Sequence, residues 1–376
     1  MKFIRKLQTY AKHIPGWSTK RKLVVIESDD WGSTRMPNKE IYDDLLFHGI
    51  RVDLNKFTKY DTLANNDDLE KLFEVLNSVK DKNDNPAIFC PFTNVTNADF
   101  TKIIKSDFEQ YFFETFDETL QKYYGDDVFK KWLSGLSEGY FVPQYHGREH
   151  FNVPLLMRVL SNKKNKEFYY AFKKGVIHIP LDIFVTNKVN SLAPTYYYDS
   201  LKDLEYLKKS LLEGVNIFNK LFNISSYSFN PPNGIFSLDL EESFKNTKVN
   251  NIVVNRSREE PIDNGKIATR NFLFKFGKYN STGQIYYRRN VKFEPIQKSY
   301  SLDKTLFEIK AAFDTGKPAI ISTHRINFVG SLDDSIRDRG LLELGKLLRI
   351  LIEKYPDVEF INSIKLGQIM RNSNNK

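Results

Sequence analysis

Short, mainly apolar runs recur along the chain, each bounded by polar or turn-forming residues. Leu23-Val24-Val25-Ile26, Ala87-Ile88-Phe89-Cys90, Tyr140–Tyr145, Asn251–Val254, Ala319–Ile321 and Val358–Ile361 are of this kind. Such runs suit strands buried on both faces of a parallel sheet, where the usual alternation disappears. Between them, apolar residues recur at three- and four-residue spacing and predict helices over 66–80, 154–161, 200–222, 303–313 and 335–354. The strongest is 200–222, with Leu204, Leu207, Leu211, Val215, Phe218 and Phe222 on one side. Strands alternating with helices predict a mainly parallel α/β fold, here with about six to eight barrel-like strands.

Four stretches depart from this rhythm. Residues 97–139 are aromatic and charged and are expected to form an insertion over the C-terminal face of the barrel, with a helix around 117–135. Val176–Ile179 reads as a short strand. Residues 262–300 lack a clear period and suggest only a hairpin around Thr282-Gly283. Residues 1–22 hold seven Lys or Arg and no acid, with Phe3, Ile4, Leu7, Tyr10, Ala11 and Ile14 at helical spacing. They form a basic amphipathic segment that suits the underside of a barrel or, as peripheral contact, an anionic membrane. The expected organisation is this segment, a barrel over 23–370, and a polar tail over 371–376.

Composition narrows the class. The chain has 376 residues, 41% hydrophobic and 27% charged, as in ordinary globular proteins. Cys90 is the sole cysteine, so no disulfide forms within the chain. No secretory pattern and no membrane-length apolar run is visible, and a cytoplasmic location is expected, with membrane association as the variant. The net charge of +9 favours acidic partners. With no nucleic-acid motif present, these are expected to be nucleotide-linked or lipid-phosphate-linked sugars.

The chemistry sits at the ends of the apolar runs. Asp29-Asp30 follows the first, His146-x-x-x-His150 follows Tyr140–Tyr145, and His324 follows Ala319–Thr323. Strand C-termini are where a parallel α/β barrel assembles its site. One carboxylate and two imidazoles bind a divalent ion and leave a coordination position open. A second carboxylate and a third histidine are then free to move protons. The four-residue spacing of His146 and His150 would place both rings on one face of a helix.

These motifs resemble the NodB-type polysaccharide deacetylases (carbohydrate esterase family 4) and are also similar to the YdjC-type carbohydrate deacetylases. Ser28-Asp29-Asp30-Trp31-Gly32 stands for the family's T-F-D-D-G element and His146-Gly147-Arg148-Glu149-His150 for its H-S/T-x-x-H element. Asn230-Pro231-Pro232-Asn233-Gly234 stands for R-x-P-Y/F, and Ile321–His324 for the closing strand. The resemblance implies a distorted (β/α) barrel and a metal-dependent N-deacetylase acting on an acetamido sugar. It makes Asp30, His146 and His150 the metal ligands, Asp29 the general base and His324 the general acid. The implied metal is Zn²⁺, with Co²⁺ or Ni²⁺ as alternatives. Trp31, Arg148, Asn230, Pro232, Asn233, Arg256 and Arg325 become candidates for substrate binding. Other readings of the same site are an O-deacetylase, a deformylase or another amidohydrolase, or a silent carbohydrate-binding barrel.

Two departures matter. Asn230 stands where the family has an arginine that pairs with the catalytic aspartate, and no acidic fourth motif is evident. A replacement arginine is expected beside Asp29, Arg148 first and Arg256 second.

Overall fold

The computed structural model describes residues 9–374, apart from 12, 14, 163–164, 181–190, 263–264 and 274. Nine strands form the main sheet: β1 (Lys22–Trp31), β2 (Phe89–Asn94), β3 (Gln144–Gly147), β4 (Ser228–Phe229), β5 (Asn251–Val253), β6 (Ile285–Tyr287), β7 (Val291–Lys292), β8 (Ala319–His324) and β9 (Val358–Phe360). Their order is β6-β5-β4-β3-β2-β1-β8-β7, with β9 also paired to β1, and every pairing is parallel. The two outermost strands, β6 and β7, are consecutive in the chain and separated by Arg288, Arg289 and Asn290 alone. The four Cα steps from Tyr287 to Val291 span at most about 14 Å, so the sheet must curl until its edges nearly meet. This is the expected (β/α) barrel, its two edge strands joined by the short segment Arg288–Asn290 and not by a hydrogen-bonded ladder.

The apolar runs form strands because both of their faces are covered. Leu23 and Val25 join one buried cluster with Phe92 and Ile320, whereas Val24 and Ile26 join another with Leu69, Phe89 and Leu344. The predicted helices form over Asn66–Asn77, Val153–Ser161, Leu201–Phe222, Leu302–Asp314 and Asp334–Lys354. The first starts in a capping box between Asn65 and Asp68. Ser200 caps Leu201–Phe222, which ends at Asn223 in the left-handed region.

The irregular stretches fold differently from their reading. Residues 97–139 hold a hairpin strand and three helices, and the 117–135 helix is broken at Gly125. No residue of this stretch lines the central cavity. Phe116 and Trp132 pack beneath Trp31 and Phe141, because so many rings are better buried on the barrel's flank than left over a wet opening. Val176–Ile179 is not a strand. In 262–300 the turn at Thr282-Gly283 carries an isolated bridge, Tyr279 to Ile285, and the larger hairpin is Ser257–Ile262 with Lys266–Asn271.

Of the basic N-terminal segment, Phe3, Ile4, Leu7 and Ile14 lie outside the described residues. Tyr10 hydrogen-bonds Asp314 and packs edge-on against Phe307, and Lys317 holds the Gly16 and Trp17 carbonyls. Among the described residues, no helix is long and apolar enough to cross a membrane.

Candidate active site

A cavity of about 1070 Å³ opens where the ends of β1, β3, β5 and β8 converge. Its floor begins with an irregularity in β1. Pairing with β2 shifts register between Ser28 and Trp31, and Asp30 takes φ = 71°. A left-handed aspartate is uncommon, and here it turns Asp30 away from the direction of Asp29. Gly32 completes the turn at φ = 79°, where a Cβ would lie 2.0 Å from the Asn94 carbonyl oxygen, so no other residue fits.

Asp30 faces the two histidines. Its Oδ1 lies 2.8 Å from His150 Nε2 and 3.6 Å from His146 Nε2, and one ligand atom from each of the three falls within 4.8 Å of the others. The helical reading of the histidine pair does not hold. His146 is in β3, whereas His150 lies in the loop before Val153–Ser161. Gly147, at φ = 117°, folds the chain back between them.

The donor set fits a divalent cation. His146 Nδ1 donates to the Asn230 carbonyl at 2.7 Å, which leaves Nε2 with a free lone pair toward Asp30. His150 is less prepared. Burial and then Arg35 pull its pKa down to about 4, so the ring is neutral. Arg35 can only donate, and it sits 2.9 Å from Nδ1, so the ring proton lies on Nε2. Ligation through Nε2 therefore requires Arg35 to release Nδ1. Arg35 also stands 3.8 Å from Asp30, where it supplies the counter-charge that a cation would replace.

Asp29 is held separately. Arg289 donates to Oδ2 from Nη1 at 2.6 Å and to Oδ1 from Nη2 at 2.8 Å, and Asn230 Nδ2 donates to Oδ1 at 3.0 Å. Burial would raise this carboxyl, but Arg289, followed by His146, outweighs it and holds the group below its ordinary range. Arg289 is itself fixed by Glu27, fully buried in the barrel, which accepts from its Nε at 2.6 Å and from Tyr287 and Ser363.

His324 is the register partner of Asp29 across β1 and β8. Its Nε2 lies 3.9 Å from Asp29 Oδ2, and its Nδ1 lies 2.5 Å from Glu294 Oε1. Asn327 steadies the other Glu294 oxygen at 2.9 Å. Burial alone would lower the imidazole, but Glu294 overrides it and pushes the pKa up to about 9. The side chain keeps 31% exposure, along the cavity.

Several sequence candidates sit elsewhere. Trp31 is 1% exposed in the core, with its indole N–H on Ser28 Oγ. Arg148 pairs with Glu149 and Glu213 and reaches Tyr206. β3 ends at Gly147, whose φ of 117° turns the chain just before Arg148, and the guanidinium goes to these partners instead of Asp29. Arg325, fully buried, is bidentate to Asp61 at 2.9 and 2.8 Å and donates to the Ser33 carbonyl. Pro232 is buried, and Pro231 lines the cavity in its place. Asn230, Asn233 and Arg256 do line it. The replacement arginine is thus Arg289 and the extra acid is Glu294. Both lie in the stretch without a period, and the only sequence signal for them is the run Arg288-Arg289-Asn290 ahead of Glu294.

No protein-family model matches the sequence, and no curated protein matches it either. Solved structures do. One from Parabacteroides distasonis, described as a glycoside hydrolase/deacetylase, superposes with a TM-score of 0.50 at 10% identity, over 95% of this chain and 73% of its own. Another from Mycobacterium smegmatis, described as a polysaccharide deacetylase, gives 0.47 at 10% identity, over 96% and 94%. The first likeness shows that the two chains share a fold.

Proposed function

We propose that this chain is a metal-dependent hydrolase that removes the N-acetyl group of an acetamido sugar. The observation that carries the reading is the pairing of two differently tuned groups across one cavity. Asp29 is an ionised carboxylate, and His324 is an imidazolium 3.9 Å away. Both flank the Asp30, His146 and His150 cluster.

A divalent ion held by those three residues would polarise the amide carbonyl and activate water. The protein's own groups then divide the proton work. An ionised carboxylate offers about four acceptor positions. Arg289 and Asn230 occupy two on Oδ1, and Arg289 occupies one on Oδ2. The remaining lone pair is on Oδ2, the oxygen that faces His324, and there Asp29 takes the proton of the attacking water. Arg289 and Asn230 fix the direction of that lone pair, which is how this chain dispenses with an arginine at position 230. His324 Nε2 carries the opposite proton and delivers it to the departing nitrogen. Acetate and a free amine result.

An amine leaves poorly without a proton, whereas an alkoxide from an ester needs one less. A histidine raised to about 9 is charged at neutral pH and suits the amide. The reading favours N-deacetylation over the O-deacetylase alternative for this reason. An acetate-release assay on paired N-acetyl and O-acetyl sugars tests it, and activity confined to the O-acetyl series would reverse the assignment.

A further inference from the structure

One cavity wall carries charge that the hydrolytic machinery leaves unused. β5 and β6 are neighbours, with Val253 in register with Tyr287. Just past their ends come Arg256 and Arg288, both lining the cavity. Arg288 is adjacent in sequence to Arg289, so this wall begins one residue from the side chain that holds Asp29. The two consecutive arginines do different work. Arg289 turns inward onto Asp29 and Glu27, and Arg288 lies half-buried on the wall with the Leu273 carbonyl within 3.5 Å. Arg256 is exposed to the cavity, and among the described residues no carboxylate pairs with it.

The acids facing this space are already engaged. Asp29 is paired with Arg289, Asp30 has Arg35 at 3.8 Å and Glu294 is paired with His324, while Glu308 accepts the Lys292 backbone N–H. Two guanidiniums side by side repel each other. Burial depresses both, and Arg256 depresses Arg288 further. Such an arrangement is relieved by an oxyanion that takes donors from both, and planar guanidinium forks match a phosphoryl group in shape and charge.

We infer that Arg256 and Arg288 form an anion subsite that binds a phosphoryl group carried by the acetamido sugar. The sugar part of this inference rests on the deacetylase reading, and the anion part rests on the wall alone. A neutral polymer would leave the cavity-exposed Arg256 facing water. A sugar phosphate would place its charge on them and its acetamido group over the Asp29 and His324 floor.

Calorimetric binding of N-acetylglucosamine 1-phosphate and of N-acetylglucosamine to the full chain tests the inference. The phosphorylated sugar should bind about tenfold tighter or better. That ratio should fall to about one to three in Arg256→Gln/Arg288→Gln and persist in Arg256→Lys/Arg288→Lys, with thermal unfolding confirming that both variants are folded. UDP-N-acetylglucosamine, run alongside, separates a nucleotide diphosphate from a simple phosphate ester by which binds more tightly. Equal binding of charged and neutral sugars overturns the inference. So does a preference that survives in the double Gln variant, which would place the phosphate on the metal ligands instead. Because binding is read without turnover, an intact phosphate preference without acetate release would reject the deacetylase reading and leave the subsite standing. Acetate release without the preference would do the opposite.

Discussion

Arg289 grips Asp29 with both terminal nitrogens, at 2.6 and 2.8 Å, while its Nε is anchored on Glu27 at 2.6 Å. One side chain thereby ties the β6–β7 connection to β1 and orients the base. Arg289→Lys keeps the charge but cannot bridge both oxygens. We expect kcat to fall about tenfold in Arg289→Lys and about 100-fold in Arg289→Ala. The Ala variant also strands the buried Glu27 and should unfold about 3–5 kcal/mol more easily. Steady-state kinetics with urea unfolding checks both, and a Lys variant with wild-type kcat would remove Arg289 from the positioning role.

His324 supplies the pH dependence. Its pKa is raised from 6.5 to about 9, with Glu294 outweighing burial. The charged ring is the acid, so that role is present at neutral pH and lost as pH rises through about 9. The stabilisation follows the same sign. It is complete below 6.5 and disappears as pH climbs through 9. In Glu294→Gln the largest raising influence is lost, with Asp30 and Asp29 left to oppose burial, and the midpoint should fall clearly below 9. NMR titration of the chelated protein reads this directly. A midpoint unmoved by Glu294→Gln would show that Glu294 does not set it.

Arg325 should behave as a structural residue. Both it and Asp61 are fully buried, and burial already works against the Asp61 carboxylate. Removing one partner leaves an uncompensated charge. Arg325→Ala is expected to lower stability by about 3–5 kcal/mol in urea unfolding. If Arg325→Ala instead unfolded like the wild type and raised KM alone, its assignment to substrate binding would be restored.

The two adjacent aspartates should separate cleanly in metal binding. Asp30→Ala removes the ligand that His146 and His150 share, and zinc affinity by equilibrium dialysis should fall about 100-fold or more. Asp29→Asn keeps the side chain's size and leaves all three ligands in place, and it should hold zinc within about threefold of wild type. Equal losses in both variants would merge the roles that the structure keeps apart.

The barrel was legible because its central strands are buried on both faces, so β1, β2 and β8 stand out as apolar runs that end on chemistry. The closure was not. β6 and β7 hold three and two residues, too short for any period. Arg289 and Glu294 act through reach across the barrel, which spacing along the chain does not encode. Arg148 looked suitable because it lies inside the histidine motif, and strand alternation would even place it on the face of His146, two residues away. The turn at Gly147, which ends β3, sends it instead to Glu149 and Glu213. Arg325 misled in a similar way, since sequence proximity to His324 says nothing of Asp61, which is 264 residues distant.

The most direct test of the account is acetate release from N-acetylglucosamine 1-phosphate by one preparation, assayed after chelation and again after zinc reconstitution. The account predicts no acetate from the chelated protein, acetate after zinc is restored, and a rate lower by about 10²–10⁴ in zinc-bound Asp29→Asn. Acetate release at the same rate with and without metal, or an undiminished rate in Asp29→Asn, would contradict it.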